Sequence, residues 1–217
     1  MKRMNMKKVE VMSNVNLRQQ KGFRSTMGDR MGKLAMWFFN STQILVIALG
    51  FFVMVYLFVA SFSVIDGPSM LPNFETGDLT IYEKITTTWG TLHRGDVIVF
   101  LHSDGKDFIK RVIGLPGDTI LIQDGKVHVN DIAIKEDYLS DDNKYVLGGT
   151  IIQERIPVRV PAGNYAVFGD NRKVSLDSRN IGFISQDKIK GKVWVVFWPL
   201  SKVHFVNHVR YTELGDR

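Results

Sequence analysis

Cysteine is absent from the 217-residue chain, so disulfide bonds play no part in its fold. This absence is compatible with an exported domain that folds without disulfides. The five histidines (93, 102, 128, 204 and 208) show no metal-ligand spacing, and the sequence has no glycine-rich phosphate loop or nucleotide-binding fingerprint. The sequence therefore gives no reason to expect a metal ion, a nucleotide or any other cofactor.

Charged residues are absent from residues 34–65, and residues 42–65 are apolar almost throughout. About 20 such residues are enough for a helix to cross the ~30 Å hydrocarbon layer of a membrane. The run is longer than a typical buried core helix. It also starts too late in the chain, and is too long, for a cleavable secretory signal. We therefore predict a transmembrane helix over residues 42–65.

Positive charge is concentrated before this run. Residues 1–33 hold nine lysines and arginines against Glu10 and Asp29, which gives +7, whereas the whole chain carries +6 and the remainder therefore −1. A basic segment directly before a span stays in the cytoplasm and is attracted to anionic lipid. We predict a cytoplasmic tail over residues 1–41 and an extracytoplasmic domain over residues 66–217, with no reason to expect nucleic acid binding.

The segment after the span is rich in strand patterns. Its β-branched and aromatic runs are broken by Gly, Pro, Asp and Asn, as is typical of strands and turns. The runs are DLTIYEKI, GDVIVFLH, DFIKRVIGL, DTILIQDGKVHVNDIAI, RIPVRVPAGNYAVFG and GKVWVVFWPL. Asp124-Gly125 between two such runs predicts a two-residue hairpin turn. The outer domain is therefore expected to be all-β or nearly so.

A candidate nucleophile, Ser69, follows the apolar run closely in the stretch GPSMLP. Pro68 and Pro72 restrict the backbone of this turn. Serine becomes a good nucleophile only when a base takes its proton, and histidine is the usual base. No histidine of this chain lies in a motif-like setting, so a lysine with a neutral amine is the alternative.

Lys110 in DFIKRVIGL is the candidate base. If residues 108–113 form a strand, Lys110 shares one face with Phe108 and Val112. Apolar neighbours of this kind disfavour the ammonium form. On this stretch alone, an ordinary strand lysine that reaches solvent remains the favoured interpretation.

Three stretches together resemble the type I signal peptidases of bacteria, which are membrane-anchored Ser/Lys proteases that remove signal peptides from exported proteins. The stretches are GPSMLP at 67–72, KRVIGLPGD at 110–118 and GDNRKVSLDSR at 169–179, of which the third is the most specific. TGDLTIYEK at 76–84 and RGDVIVF at 94–100 match as well. The resemblance covers the span and nearly all of the outer domain.

The resemblance implies roles for individual side chains. Ser69 is expected to be the nucleophile, Lys110 its general base, and Ser175 the hydroxyl that holds the lysine amine in place. We expect Asp170 to pair with Arg111. The resemblance also implies that a polar frame beneath the site is formed by Asp170, Arg111, Asp177 and Arg179.

Two positions depart from part of the family. Some members place a serine two residues before the nucleophile and use its hydroxyl as an oxyanion donor, whereas this chain has Gly67. We therefore expect the backbone N–H of Ser69 to act with a glycine-permitted backbone group or with water. Asn73 lies where the family often has threonine, and we expect a modest effect on the packing of the turn.

The short distance from Ile65 to Ser69 predicts an active site at the outer membrane surface, where the cleavage site of a signal peptide emerges. Met70, Leu71 and Phe74 either dip into this interface or belong to the core. The expected substrates are secretory preproteins, cut after small residues at A-x-A-like sites and bound extended along a sheet edge. Preproteins and the lipid bilayer are thus the expected partners, and the oligomeric state stays open.

Two other functions are open at this point. A self-cleaving repressor-type protease shares the Ser/Lys pair, but such proteins are soluble and the predicted span argues against one. A catalytically inactive membrane scaffold is disfavoured because both Ser69 and Lys110 are present. The expected fold is mostly β, with one N-terminal transmembrane helix before a β-rich domain of the signal peptidase type.

Overall fold

The computed structural model describes the backbone of residues 2–215 and the side chains of residues 28–215. The chain divides into two compact units, Met1–Met54 and Val55–Arg217. Helix α1 (Lys2–Phe58) makes up the first unit and the start of the second. Its part from Gly28 to Phe58 is long and apolar enough to cross a membrane. Most of its large apolar side chains are exposed, as is typical of a helix that contacts lipid.

The end of the helix differs from the prediction. Helix α1 ends at Phe58, and Ala60–Val64 form strand β1, which pairs antiparallel with β2 (Leu79–Glu83). The prediction of a helix up to residue 65 was wrong, because a lack of charge does not distinguish the end of a helix from a strand whose backbone bonds to a neighbour. The division into a tail, a span and an outer domain otherwise stays a prediction.

The second unit is β-rich, so the predicted fold class is confirmed. Its further strands are β3 (Val97–Leu101), β4 (Asp107–Gly114), β5 (Thr119–Gln123), β6 (Lys126–Val129), β7 (Ile132–Ala133), β8 (Val158–Arg159), β9 (Asn164–Phe168), β10 (Ile184–Ser185), β11 (Ile189–Trp198) and β12 (His204–Phe205). Among the described residues, two short α-helices, α2 (Ile85–Trp89) and α3 (Ser178–Ile181), and three short 3₁₀ turns lie between the strands, and a fourth 3₁₀ turn (Thr212–Leu214) follows β12.

The strands form two antiparallel sheets. The larger sheet has the order β1-β2-β11-β3-β4-β9-β10 with β12 added to β11, and the smaller has the order β7-β6-β5-β8. Strands β5 and β6 are joined by the predicted hairpin at Asp124-Gly125, whose φ values of 51° and 73° are both positive. A two-residue type I′ turn requires this backbone conformation.

Strand β4 is central to the site because it is paired along both edges. It pairs with β3, where Ile98 lies opposite Lys110, and with β9, where Phe168 lies opposite Arg111. The chain leaves β9 directly into Gly169. The register therefore brings the segment after β9 next to the middle of β4.

The turn between β1 and β2 lies over an apolar cluster. Met70 and Phe74 are 1% and 2% exposed and pack in this cluster with Val97, Ile109 and others. Of the two alternatives for these side chains, the core is therefore correct for Met70 and Phe74. Their burial anchors the turn that carries Ser69 to the main sheet.

Candidate active site

Ser69 lies in the turn after β1 and Lys110 lies in the middle of β4, and their side chains are in contact. Lys110 Nζ lies 2.9 Å from Ser69 Oγ. If the amine is neutral, the hydroxyl can donate its proton to the nitrogen lone pair over this distance. The turn itself is closed by backbone hydrogen bonds from Leu71 N to Pro68 O and from Phe74 N to Met70 O.

The surroundings of Lys110 favour a neutral amine. Lys110 is 3% exposed, and removal from water disfavours its charged form. Phe108 and Val112 belong to one apolar cluster, as the strand alternation predicted. Burial lowers the pKa of Lys110 to about 8. The nearby carboxylates of Asp177 and Asp170 act in the opposite direction and raise this pKa, but their effect is smaller than that of burial.

Ser175 is buried beside this pair but is not bonded to the amine. Its Oγ has no hydrogen-bond partner among the described residues, and Lys110 Nζ instead donates to the carbonyl of Ile109 at 2.9 Å. A Cβ atom on Gly169 would lie 2.2 Å from Ser175 Oγ and 2.5 Å from the carbonyl oxygen of Ser69. Gly169 is thus required by the close approach of the two serines.

The expected ion pair between Arg111 and Asp170 is present and buried. Nε of Arg111 donates to Oδ1 of Asp170 at 2.9 Å, and Nη2 donates to Oδ2 at 2.7 Å. The two side chains are 2% and 0% exposed. A third bond runs from Arg111 Nη1 to the carbonyl of Gly95 at 2.9 Å. Such a bidentate, fully bonded pair holds both partners in one geometry.

Asp177 and Arg179 form a second buried pair. Asp177 caps α3 by accepting from the backbone N–H of Arg179. Its carboxylate also accepts from Arg179 Nε and Nη2, each at 2.8 Å, and from the backbone N–H of Gly169 at 3.1 Å. The capping interaction and the ion pair together shape the chain from Gly169 to the start of α3.

An open groove of about 580 Å³ leads to Ser69 and Lys110. Its lining includes residues 62–67, at the end of β1 and just after it, and residues 105–110. Strand β1 is an edge strand of the larger sheet. In the described part of the chain, one edge of β1 therefore pairs with no other strand. An unpaired edge of this kind can accept an extended peptide as an additional strand.

A family model described as "Signal peptidase, peptidase S26" matches residues 38–198. The chain belongs to this family. The resemblance found in GPSMLP, KRVIGLPGD and GDNRKVSLDSR is therefore confirmed, and the chain is a serine peptidase. The family and the apolar helix together indicate a membrane-anchored protein.

Individual signal peptidases are similar over most of their length. Signal peptidase I of Bacillus caldolyticus is 39% identical over 155 residues, which cover 69% of this chain and 85% of that protein. Signal peptidase I U of Bacillus subtilis (strain 168) is 39% identical over 143 residues, which cover 64% and 76%. A crystal structure of a signal peptidase I from Enterococcus faecalis V583 is 33% identical, with a TM-score of 0.41, over 47% of this chain and 96% of that one.

Within this signal peptidase, Asn171 is a site residue that the sequence reasoning missed. Its backbone N–H donates to the carbonyl of Ser69 at 2.9 Å, and its Nδ2 donates to the carbonyl of Pro68 at 3.2 Å. Both bonds connect the turn that carries Ser69 to the segment after β9. The signal was available, because Asn171 follows Asp170 directly in the third matching stretch.

A buried network around Arg172 was also missed. Arg172 donates to both carboxylate oxygens of Glu136 and to the hydroxyl of Tyr138, and its Nε donates to the carbonyl of Gly169 at 2.9 Å. The Tyr138 hydroxyl lies 3.0 Å from that of Tyr211. No local pattern marks Glu136 or the tyrosines as site neighbours.

Proposed function

We propose that this signal peptidase removes signal peptides from exported proteins by Ser69 attack assisted by Lys110. The observation that carries the proposal is the 2.9 Å separation of Ser69 Oγ and Lys110 Nζ in a buried setting. A base must lie within hydrogen-bond reach of the proton it takes, and its pKa must be near the working pH. A pKa of about 8 for Lys110 meets the second condition.

The mechanism follows from these two groups. The neutral amine of Lys110 takes the hydroxyl proton while Ser69 Oγ attacks the scissile carbonyl carbon. The lysine then gives the proton to the leaving amine, and an acyl-enzyme remains. In the second half, Lys110 takes a proton from water, the hydroxide attacks the ester carbonyl, and Ser69 leaves with the proton restored.

The developing oxyanion is assigned to the backbone around Ser69. The Ser69 N–H makes no backbone hydrogen bond among the described residues, so it is free to donate. Gly67 has φ +95° and lines the groove, so its backbone or a water there supplies the second donor. Ser175 is proposed to orient the amine once substrate binds. The two ion pairs Arg111–Asp170 and Arg179–Asp177 hold the frame.

The substrate segment is proposed to lie extended in the groove along the free edge of β1. Small side chains before the scissile bond would fit pockets beside this strand, as an A-x-A-like site requires. The apolar helix would anchor the enzyme in the plasma membrane with residues 1–33 inside the cell. Protease added to protoplasts should then digest the β-rich unit and spare the N-terminal tail, and the reverse pattern would contradict this topology.

Cleavage of a purified preprotein by the full-length enzyme in detergent tests the catalytic assignment. Ser69→Ala and Lys110→Ala should each abolish processing, and the double variant should be scarcely worse than either one, because the two groups act as a unit. Lys126→Ala is the matched control, since Lys126 is an exposed lysine of strand β6 that does not line the groove, and this variant should process normally.

Two results would overturn the assignment. One is near-normal processing by a folded Lys110→Ala variant. The other is an acidic limb near pH 6.5 that is lost on replacing His93 or His102, because that limb would identify histidine as the base. If the active wild-type enzyme does not cut at an A-x-A-like site, the proposed cleavage specificity is refuted. The family membership of the chain would not be affected by this result.

A further inference from the structure

The turn that carries Ser69 is held at both ends by two consecutive residues. At its start, Asn171 bonds to the carbonyls of Pro68 and Ser69. At its end, Asp170 accepts a hydrogen bond from Nδ2 of Asn73 at 2.9 Å. Asn73 therefore makes a direct contact with the buried ion pair of Asp170 and Arg111.

Asn73 uses its amide nitrogen twice. Besides the bond to Asp170 Oδ2, Nδ2 donates to the backbone carbonyl of Tyr138 at 3.1 Å. An asparagine NH₂ group has two hydrogen-bond donors, so both are used here. The ring of Tyr138 in turn lies over the guanidinium of Arg111, 4.3 Å from its carbon. Asn73 thus bonds to two residues, Asp170 and Tyr138, that also contact Arg111.

The carboxylate of Asp170 needs this donor. Asp170 is 0% exposed, and its hydrogen bonds come from Arg111 and Asn73. A buried carboxylate without enough donors is costly, so its partners are held firmly. The hydrogen bond to Asp170 therefore holds Asn73 in place. Because Asn73 belongs to the same turn as Ser69, this bond also restricts the backbone of Ser69.

We propose that Asn73 is a positioning residue, which clamps the end of the nucleophile turn to Asp170 and to the Tyr138 carbonyl so that Ser69 Oγ stays within reach of Lys110. This inference rests on the proposed function of Ser69 and Lys110. It makes Asn73 part of the catalytic geometry, a larger role than the modest effect on packing expected from the sequence.

Other side chains at this position satisfy the two acceptors differently. Threonine has a single hydroxyl donor and can serve one acceptor at a time, whereas alanine serves neither. Aspartate has the shape of asparagine but presents a second carboxylate to Asp170. The expected order of activity is therefore asparagine, threonine, alanine and aspartate.

The test measures kcat and KM for a purified preprotein with the full-length enzyme in detergent. Asn73→Ala should lower kcat by between about 10-fold and 100-fold, because a small displacement of a reacting group has effects of this size, and KM should change by less than about threefold. Asn73→Thr should recover most of kcat, and Asn73→Asp should be lower than Asn73→Ala. Asn164→Ala is the matched control, because Asn164 also donates to a backbone carbonyl, that of Ala162 at 2.9 Å, and is expected to keep wild-type kcat.

Thermal unfolding of each variant separates positioning from folding. Loss of kcat in a variant that is fully folded at the assay temperature supports the proposal. Wild-type kcat in Asn73→Ala overturns it, and so does a decrease that only matches the unfolded fraction. If Asn73→Asp fails to fold, the comparison of alanine with threonine still decides. Full activity in Ser69→Ala would instead refute the proposed function itself, so the two failures are distinguishable.

Discussion

Replacing Lys110 by methionine should make the protein more stable at neutral pH and less stable at high pH. Burial lowers the pKa of Lys110 from 10.5 to about 8, which at ~1.36 kcal/mol per pKa unit corresponds to about 3 kcal/mol against the ammonium form. Because the folded-state pKa lies below the unfolded one, this cost is present in full below about pH 8. It disappears as the pH rises to about 10.5, where the unfolded chain also loses its proton.

The hydrogen bonds of Lys110 oppose this gain. Its amine bonds to Ser69 Oγ and to the Ile109 carbonyl, and each bond is worth about 1 kcal/mol net. Lys110→Met should therefore be about 1 kcal/mol more stable than wild type at pH 7 and about 2 kcal/mol less stable at pH 10.5. The change of about 3 kcal/mol between the two pH values follows from the pKa of the lysine alone.

Thermal or denaturant unfolding of the full-length protein in detergent at both pH values measures this change. At pH 7 the melting temperature should rise by roughly 2–4 °C, the shift expected per kcal/mol for a protein of this size. Lys106→Met, at an exposed lysine of the same groove, should differ from wild type equally at both pH values. The free energy of unfolding of Lys110→Met is compared with that of wild type at each pH. If the difference is the same at pH 7 and pH 10.5, the amine of Lys110 is not desolvated and the reasoning is refuted.

Three further outcomes are expected. The kcat/KM of the wild-type enzyme should rise with pH along a limb centred near pH 8, and Lys110→Arg should be inactive throughout, because guanidinium stays protonated. Gly169→Ala should reduce processing of a preprotein by at least about 100-fold, because its Cβ would lie 2.2 Å from Ser175 Oγ; normal processing would contradict the close packing. Arg111→Met should cost about 3–5 kcal/mol in unfolding free energy, because Asp170 is left buried without its partner. Arg94→Met, at the buried pair with Asp118 away from the groove, should lose similar stability but keep its activity per folded molecule.

The strands were predictable because their signals are local. The run VIVFL became β3, whose Val97–Phe100 are all 0% exposed, and Asp124-Gly125 formed the expected turn. The alternation around Lys110 also placed Phe108 and Val112 correctly. The end of the span was not predictable in this way, because residues 60–64 are as free of charge as the helix before them, and only their pairing with β2 makes them a strand.

The site was predictable only in part, because its contacts join distant segments. The resemblance named Ser69, Lys110 and the pair Arg111–Asp170, which the structure brings together. It could not indicate that Asn73 bonds to Asp170, since asparagine replaces the residue common in the family. The Glu136–Arg172 pair was beyond reach for another reason: Glu136 lies in a segment with no motif at all.

The antiparallel pairing that builds the site also determines when activity can appear during folding. Ser69 and Lys110 are 41 residues apart in the chain, Arg111 and Asp170 are 59 apart, and Asn73 and Asp170 are 97 apart. Contacts between such distant residues form slowly, because the entropy of closing long loops is lost before the contacts compensate for it. A partly folded chain therefore has a serine without a base and a lysine still in water. On the proposed mechanism, the enzyme is therefore expected to gain activity only once its larger sheet is complete.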